Sequence, residues 1–136
     1  MDMTMLLCAR RISPVSTRSL VAATAVALGA AAAVAVIVRR VEVHGDSMRP
    51  TLLPGDRVVA LRSRAVRAGD VVVVTDPRVP SRSLVKRVVA VGPGGIRVAG
   101  DAPDASTDSR HFGPVPAVWG RVVYRYAPRP RAGRLS

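Results

Sequence analysis

Lys86 is the only lysine among 21 basic residues; the other twenty are arginine. A guanidinium keeps its proton throughout a protein, whereas a desolvated lysine can release it. This lysine lies in a valine-rich run, Leu84-Val85-Lys86-Arg87-Val88-Val89-Ala90-Val91, where burial would favour a neutral amine. Chance placement in an arginine-rich composition is the competing explanation. Upstream, Ser47 follows Val41-Glu42-Val43-His44-Gly45-Asp46 and precedes Met48-Arg49-Pro50. That pattern is a strand running into a turn that would expose the hydroxyl. A serine nucleophile needs a base within hydrogen-bond reach and donors for the oxyanion. His44 or His111 could be that base, but His44 is three residues from Ser47 with no evident carboxylate to orient it. Lys86 is the stronger candidate.

An unperturbed lysine, with a pKa of about 10.4, is neutral in roughly one molecule in a thousand near neutral pH. Lowering that pKa by about two units raises the neutral fraction about a hundredfold, for about 2.7 kcal/mol of differential solvation. Burial beside Val85 and Val88 would supply such a shift. The strand period puts Lys86, Val88 and Ala90 on one face and Arg87 on the other, so Arg87 is expected to stay solvated while Lys86 is buried.

The elements that must position these groups follow from the hydropathy pattern. Leu20 to Val38 runs 19 residues without a charge, flanked by Arg18, Arg39 and Arg40. As a helix it would span roughly 28 Å, close to the thickness of a bilayer core. A cleaved signal peptide or a buried helix is the alternative; the reading adopted is a single membrane anchor. Its flanking charges barely discriminate between orientations.

Beyond it come short β runs: Val41–Val43, Arg57–Leu61, Asp70–Val74, Leu84–Val91, Gly95–Ala99 and Val118–Tyr124. Turn residues punctuate them, including Pro54-Gly55-Asp56, Asp76-Pro77 and a hairpin loop at Gly92–Gly95. No later segment sustains a helical period, so the rest is expected to be all-β. Four regions result: a basic N-terminal segment, 1–19; a transmembrane anchor, 20–38; a catalytic domain, 39–126; and a Pro/Arg/Gly tail, 127–136, expected to be disordered.

Composition narrows the partners. The net charge of +12 suits anionic lipid or nucleic acid. Only four residues are aromatic, too few for a base-stacking platform, and no nucleic-acid motif is present. No nucleic-acid partner is expected. Cys8 is the single cysteine, so there is no disulfide framework or cysteine metal cluster, and two histidines do not make a metal site. No cofactor and no metal are expected.

Three segments resemble the type I signal peptidase family. Gly45-Asp46-Ser47-Met48-Arg49-Pro50-Thr51-Leu52, with Gly55-Asp56, is similar to its serine box. Leu84-Val85-Lys86-Arg87-Val88-Val89-Ala90 is similar to its lysine box. The stretch from Gly100-Asp101 through Ser106-Thr107-Asp108-Ser109-Arg110-His111-Phe112-Gly113 resembles its final box. The resemblance implies a mainly β fold: a compact antiparallel catalytic core preceded by one N-terminal transmembrane helix. It also implies a serine endopeptidase with a Ser/Lys dyad, Ser47 as nucleophile and Lys86 as general base. Ser106 would orient the lysine, Asp108 and Arg110 would form a structural ion pair, and Met48 would lie near the substrate pocket. On their own, Ser106, Asp108 and Arg110 could equally be an ordinary polar turn.

Two departures stand out. Ala102 replaces the family's usual asparagine, putting one loop hydrogen bond in question. Gly45 offers no hydroxyl to an oxyanion, so the Ser47 N–H is expected to carry that task. The short interval between boxes leaves no room for the large accessory domain of longer members. Length, the string from Ala105 to Pro116 and the following Gly120-Arg121-Val122-Val123-Tyr124-Arg125-Tyr126 are similar to the small maturation proteases of nickel superoxide dismutase. The substrate implied is a protein with an N-terminal leader: that dismutase precursor, or alternatively secretory preproteins. Repressor-cleavage autoproteases share Ser/Lys chemistry but lack the final box. A non-catalytic, membrane-tethered β-domain is the alternative of another class. The expected location is a single-pass membrane protein with its catalytic domain extracytoplasmic and the anchor in lipid.

Overall fold

The computed structural model describes residues 17–135; within its first helix, side-chain surroundings are described for residues 21–30 and residue 37. Most of the basic segment 1–19, and Cys8 with it, lies outside the described residues. The chain divides into two compact units, residues up to 33 and residues 34 onward.

Helix α1 (Thr17–Ile37) forms from an alanine-rich sequence of high helix propensity. It begins three residues before the expected anchor and ends one residue short, because Val38 already belongs to a strand. All described side chains from 21 to 30 are exposed, Val21, Val26 and Leu28 included. Among the described residues, no helix is long and apolar enough to cross a membrane. The side chains of residues 31–36, part of the expected span, are not among them.

The second unit is mainly antiparallel β, as the sequence pattern requires. Strands β1 (Val38–Glu42), β2 (Arg57–Arg62), β3 (Val71–Asp76), β4 (Val79–Gly92), β5 (Gly95–Ala99), β6 (Gly120–Ala127) and β7 (Gly133–Arg134) form one sheet. Its order is β1-β2-β6-β3-β4-β5, with β7 paired to β6. Strand β3 explains the architecture. Its four valines are all buried, and their alternation serves two cores. Val71 and Val73 join Met48, Leu52, Val58 and Val122 in one cluster. Val72 and Val74 join Val88, Ile96, Val98 and Val115 in the other. The hairpin at Gly92–Gly95 forms where expected, with Gly92 opposite Gly95. Gly95 has φ +114, and a Cβ there would lie 2.7 Å from the Val115 carbonyl oxygen, so only glycine fits.

Three expectations change. A register shift between Val88 and Ala90 turns Ala90 outward, so it does not continue the Lys86–Val88 face. A short helix α2 (Ser109–Phe112) interrupts the all-β pattern, capped at its start by the Asp108 side chain. The tail is ordered through residue 135 rather than disordered. Residues 129–131 make a 3₁₀ turn, Gly133–Arg134 pair with β6, and Arg131 reaches buried Asp56. Composition misses this because the partner carboxylate is 75 positions away in sequence.

Candidate active site

The serine segment leaves β1 through a turn opened by Gly45 at φ +78. Backbone hydrogen bonds Arg49 N–H to Asp46 O (3.1 Å) and Leu52 N–H to Met48 O (2.9 Å) close it. The Arg49 and Asp46 side chains pair across it. Met48 and Leu52 are 1% and 0% exposed and pin the turn into the first core. Between them and the strand, Ser47 is half-buried.

The far end of this loop is held by Asp56. Its buried carboxylate accepts the Leu53 N–H at 2.9 Å and meets Arg131 at 2.8 Å and Arg125 at 3.6 Å. Arg125 also donates to the Thr51 carbonyl at 2.9 Å. Two arginines, Arg125 of β6 and Arg131 of the 3₁₀ turn that follows it, thus brace the serine loop.

Lys86 stands opposite Val72 of β3, on the face of the second core. It is 3% exposed. Its Nζ donates to Ser106 Oγ at 2.9 Å, and Ser106 Oγ donates to Asp108 Oδ2 at 2.7 Å. Arg110 grips the Asp108 carboxylate at 2.9 Å through Nε and Nη2, and the Gly100 N–H reaches it at 3.0 Å. Burial alone would push the Asp108 carboxyl up; Arg110, Gly100 N–H and Ser106 outweigh it and hold it well below the usual carboxylate range. Burial lowers the Lys86 pKa, opposed by the Asp108 charge and assisted by Arg82 and Arg110.

These directions fix the hydrogen-bond polarity. An ionised Asp108 can only accept, so the Ser106 proton is committed to it. Ser106 Oγ must then accept from the lysine. A neutral Lys86 therefore spends an N–H on Ser106 and keeps its lone pair for another partner.

Ser47 and Lys86 line the same cleft, of about 300 Å³, together with Val41, Val43, Met48 and Val85. Gly100 ties the two sides together. A Cβ at this position would collide with Ser106 Oγ and the Ser47 carbonyl oxygen and sit 2.6 Å from Ser106 Cβ. The Ala102 N–H donates to that same Ser47 carbonyl at 2.9 Å. The substitution at 102 thus leaves the loop tied through its backbone.

Arg87 departs from expectation. Rather than standing free in solvent, it forms a bidentate pair with Asp101, both contacts 2.8 Å, and donates to Thr51 Oγ1 and the Gly69 carbonyl. Thr51 donates to Asp101 at 2.6 Å. This triad joins the serine, lysine and final segments on the face opposite Lys86. The Arg87 position was readable from strand period, but its partner was not, because Asp101 lies across the β4–β5 hairpin. His44 is exposed beside Glu42, and His111 Nδ1 accepts the Asp108 N–H at 3.4 Å within the α2 cap. His111 does not line the cleft. Among the described residues, no group of acidic, His and Cys side chains is placed to hold a metal ion.

Gly100, Arg125 and Arg131 are the contributors that sequence reasoning did not assign. Only Gly100 carried a signal, standing at the head of the third segment.

Comparison with known proteins identifies the family. A family profile described as "Signal peptidase, peptidase S26" matches residues 16–102. The chain is 37% identical over 128 residues to mitochondrial ATP-independent inner membrane protease subunit 1a of Arabidopsis thaliana, covering 73% of this chain and 76% of the relative. It is 32% identical over 121 residues to mitochondrial inner membrane protease subunit 2 of Schizosaccharomyces pombe, covering 69% and 67%. With mitochondrial inner membrane protease subunit 1 of Mus musculus it shares 30% identity over 110 residues, covering 62% and 66%. Having the profile match over more than half its length, and relatives similar over most of theirs, the chain belongs to the type I signal peptidase family, peptidase S26.

Proposed function

We propose that this protein is a serine endopeptidase that removes an N-terminal leader from a precursor protein, with Ser47 as nucleophile and Lys86 as general base. The observation that carries the reading is a buried amine, oriented by Ser106 and opening on the cleft that Ser47 shares. The Lys86 lone pair takes the Ser47 proton as Oγ attacks the scissile carbonyl. The Ser47 N–H has no hydrogen-bond partner among the described residues and stabilises the oxyanion. Collapse of that intermediate passes the proton from Lys86 to the leaving amine. Water, deprotonated by the same lysine, then hydrolyses the acyl-enzyme. Met48 forms part of the apolar floor under the substrate.

The α1 segment anchors the enzyme in a membrane, with the catalytic unit extracytoplasmic. Support comes from its run of 19 uncharged residues between arginines. The relatives' names place them in an inner membrane, which fits a substrate presented at a lipid surface. Secretory preproteins are the broader substrate class. A superoxide dismutase precursor is the narrower one; it rests on length, the final-box string and the segment from Gly120 to Tyr126, and none of the relatives' names points to it.

The test is N-terminal sequencing of a secretory precursor and a dismutase precursor, each co-expressed with wild type or Ser47→Ala. Leader removal that disappears with Ser47→Ala is expected. Unchanged processing by Ser47→Ala would overturn the reading.

A further inference from the structure

The cleft is lined by six ionisable side chains: Glu42, His44, Asp46, Arg78, Arg82 and Lys86. Most are matched within the chain. Glu42 pairs with Arg57 and lies beside His44, and Asp46 pairs with Arg49. Arg78 pairs with buried Asp76 at 2.9 Å and stacks over Phe112 at 5.8 Å. Lys86 is buried on Ser106. Of these six, Arg82 alone makes neither a side-chain hydrogen bond nor an ion pair among the described residues; its charge acts only at longer range on Asp76, which Arg78 already holds.

Its place in the fold is specific. Ser83 is the last regularly paired residue of β4 opposite β3; the register then shifts, and residues 80–82 have no partner on β3 before Val79 meets Asp76. Such bulges re-aim side chains, and here Arg82 is aimed at the cleft beside Lys86. A guanidinium cannot shed its charge when a peptide covers it. A substrate that fills the cleft and covers Arg82 therefore either leaves that charge dehydrated, offset only by the Asp76 carboxylate that Arg78 already occupies, or brings an acceptor to it. A carboxylate matches the planar fork best, through two parallel N–H···O bonds.

Resting on the endopeptidase reading above, we infer that Arg82 is a specificity-determining residue that takes an Asp or Glu side chain of the substrate segment lying along β4 beside the scissile bond. The enzyme thus selects precursors by an acidic residue near the cleavage site, in addition to whatever the apolar floor accepts.

The experiment uses the full chain in detergent and peptides spanning a cleavage site. They are identical except for Asp, Asn or Lys placed in turn at each flanking position. At one position Asp is expected to exceed Asn by about tenfold in kcat/KM, chiefly through KM, with Lys the poorest. Arg82→Gln abolishes the Asp/Asn ratio, Arg82→Glu inverts the order of Asp and Lys, and Arg82→Lys keeps part of the preference. Equal rates for Asp and Asn at every position, or a ratio that survives Arg82→Gln, would overturn the inference. Binding of the same labelled peptides to Ser47→Ala, read by fluorescence anisotropy, gives the ratio without turnover. Loss of that ratio in the Ser47→Ala, Arg82→Gln double variant supports the assignment; its persistence refutes it. The two readings fail separately. A flat ratio with Ser47-dependent cleavage removes only the role of Arg82, whereas Ser47-independent cleavage removes the endopeptidase assignment.

Discussion

Asp108 holds the Ser106 hydroxyl proton across 2.7 Å, and by doing so decides which way the next hydrogen bond points. Ser106 can then offer Lys86 only lone pairs, which leaves the amine's own lone pair free for the base role proposed above. Ser106→Ala is expected to reduce kcat by about 10- to 100-fold with little change in KM, less than the loss of the base itself. Ser106→Thr should keep part of the activity. Steady-state kinetics on a leader peptide checks both, and a wild-type kcat in Ser106→Ala would remove the orienting role.

The pH dependence follows from the lowered Lys86 pKa. The base works neutral, so kcat/KM should rise with pH through an acid limb below the ordinary lysine value of 10.5. The same shift weakens folding. Between the folded and unfolded pKa values the unfolded chain binds the extra proton, so stability rises with pH across that window. Lys86→Met should therefore abolish cleavage yet raise the melting temperature. Its advantage is expected to be full below the folded pKa and to vanish as pH approaches 10.5. Thermal melts of both proteins across pH measure it; a Lys86→Met melting temperature below wild type at every pH would contradict the desolvation argument.

Gly100 has no room for a side chain between Ser106 and the Ser47 carbonyl. The neighbours are backbone and a packed hydroxyl rather than a flexible tip. Gly100→Ala is expected to destabilise the fold by about 1–3 kcal/mol, the usual range for overpacking. Because it spreads the two sides of the cleft, activity should fall further than the loss of folded protein explains. Urea titration alongside kcat measured on the folded fraction separates the two effects.

The Arg131–Asp56 pair links the C-terminal segment to the loop that carries Ser47. Removing Arg131 leaves Asp56 with the Leu53 N–H and, as its remaining cation, Arg125 at 3.6 Å. Arg131→Gln should cost about 1–3 kcal/mol, as for a lost charged hydrogen bond to a buried group. Deleting residues 128–136 should cost at least as much and lower kcat. A truncated chain with unchanged kcat and unchanged melting temperature would show that the tail is dispensable.

What the sequence determined by itself was local: the alternation that builds antiparallel strands, the Gly92–Gly95 hairpin, and the solitary lysine in an apolar run downstream of a turn-borne serine. Each is a short-range consequence of backbone period and side-chain type. Tertiary structure decided the pairings. It matched Arg87 with Asp101 and Thr51, wedged Gly100 between Ser106 and Ser47, and drew Arg131 onto Asp56, converting a tail that composition marks as unstructured into a brace. Composition counts charges but does not say which of them meet. A carboxylate and a guanidinium 75 residues apart become neighbours only when β2, which follows Asp56, has paired with β6, which precedes Arg131.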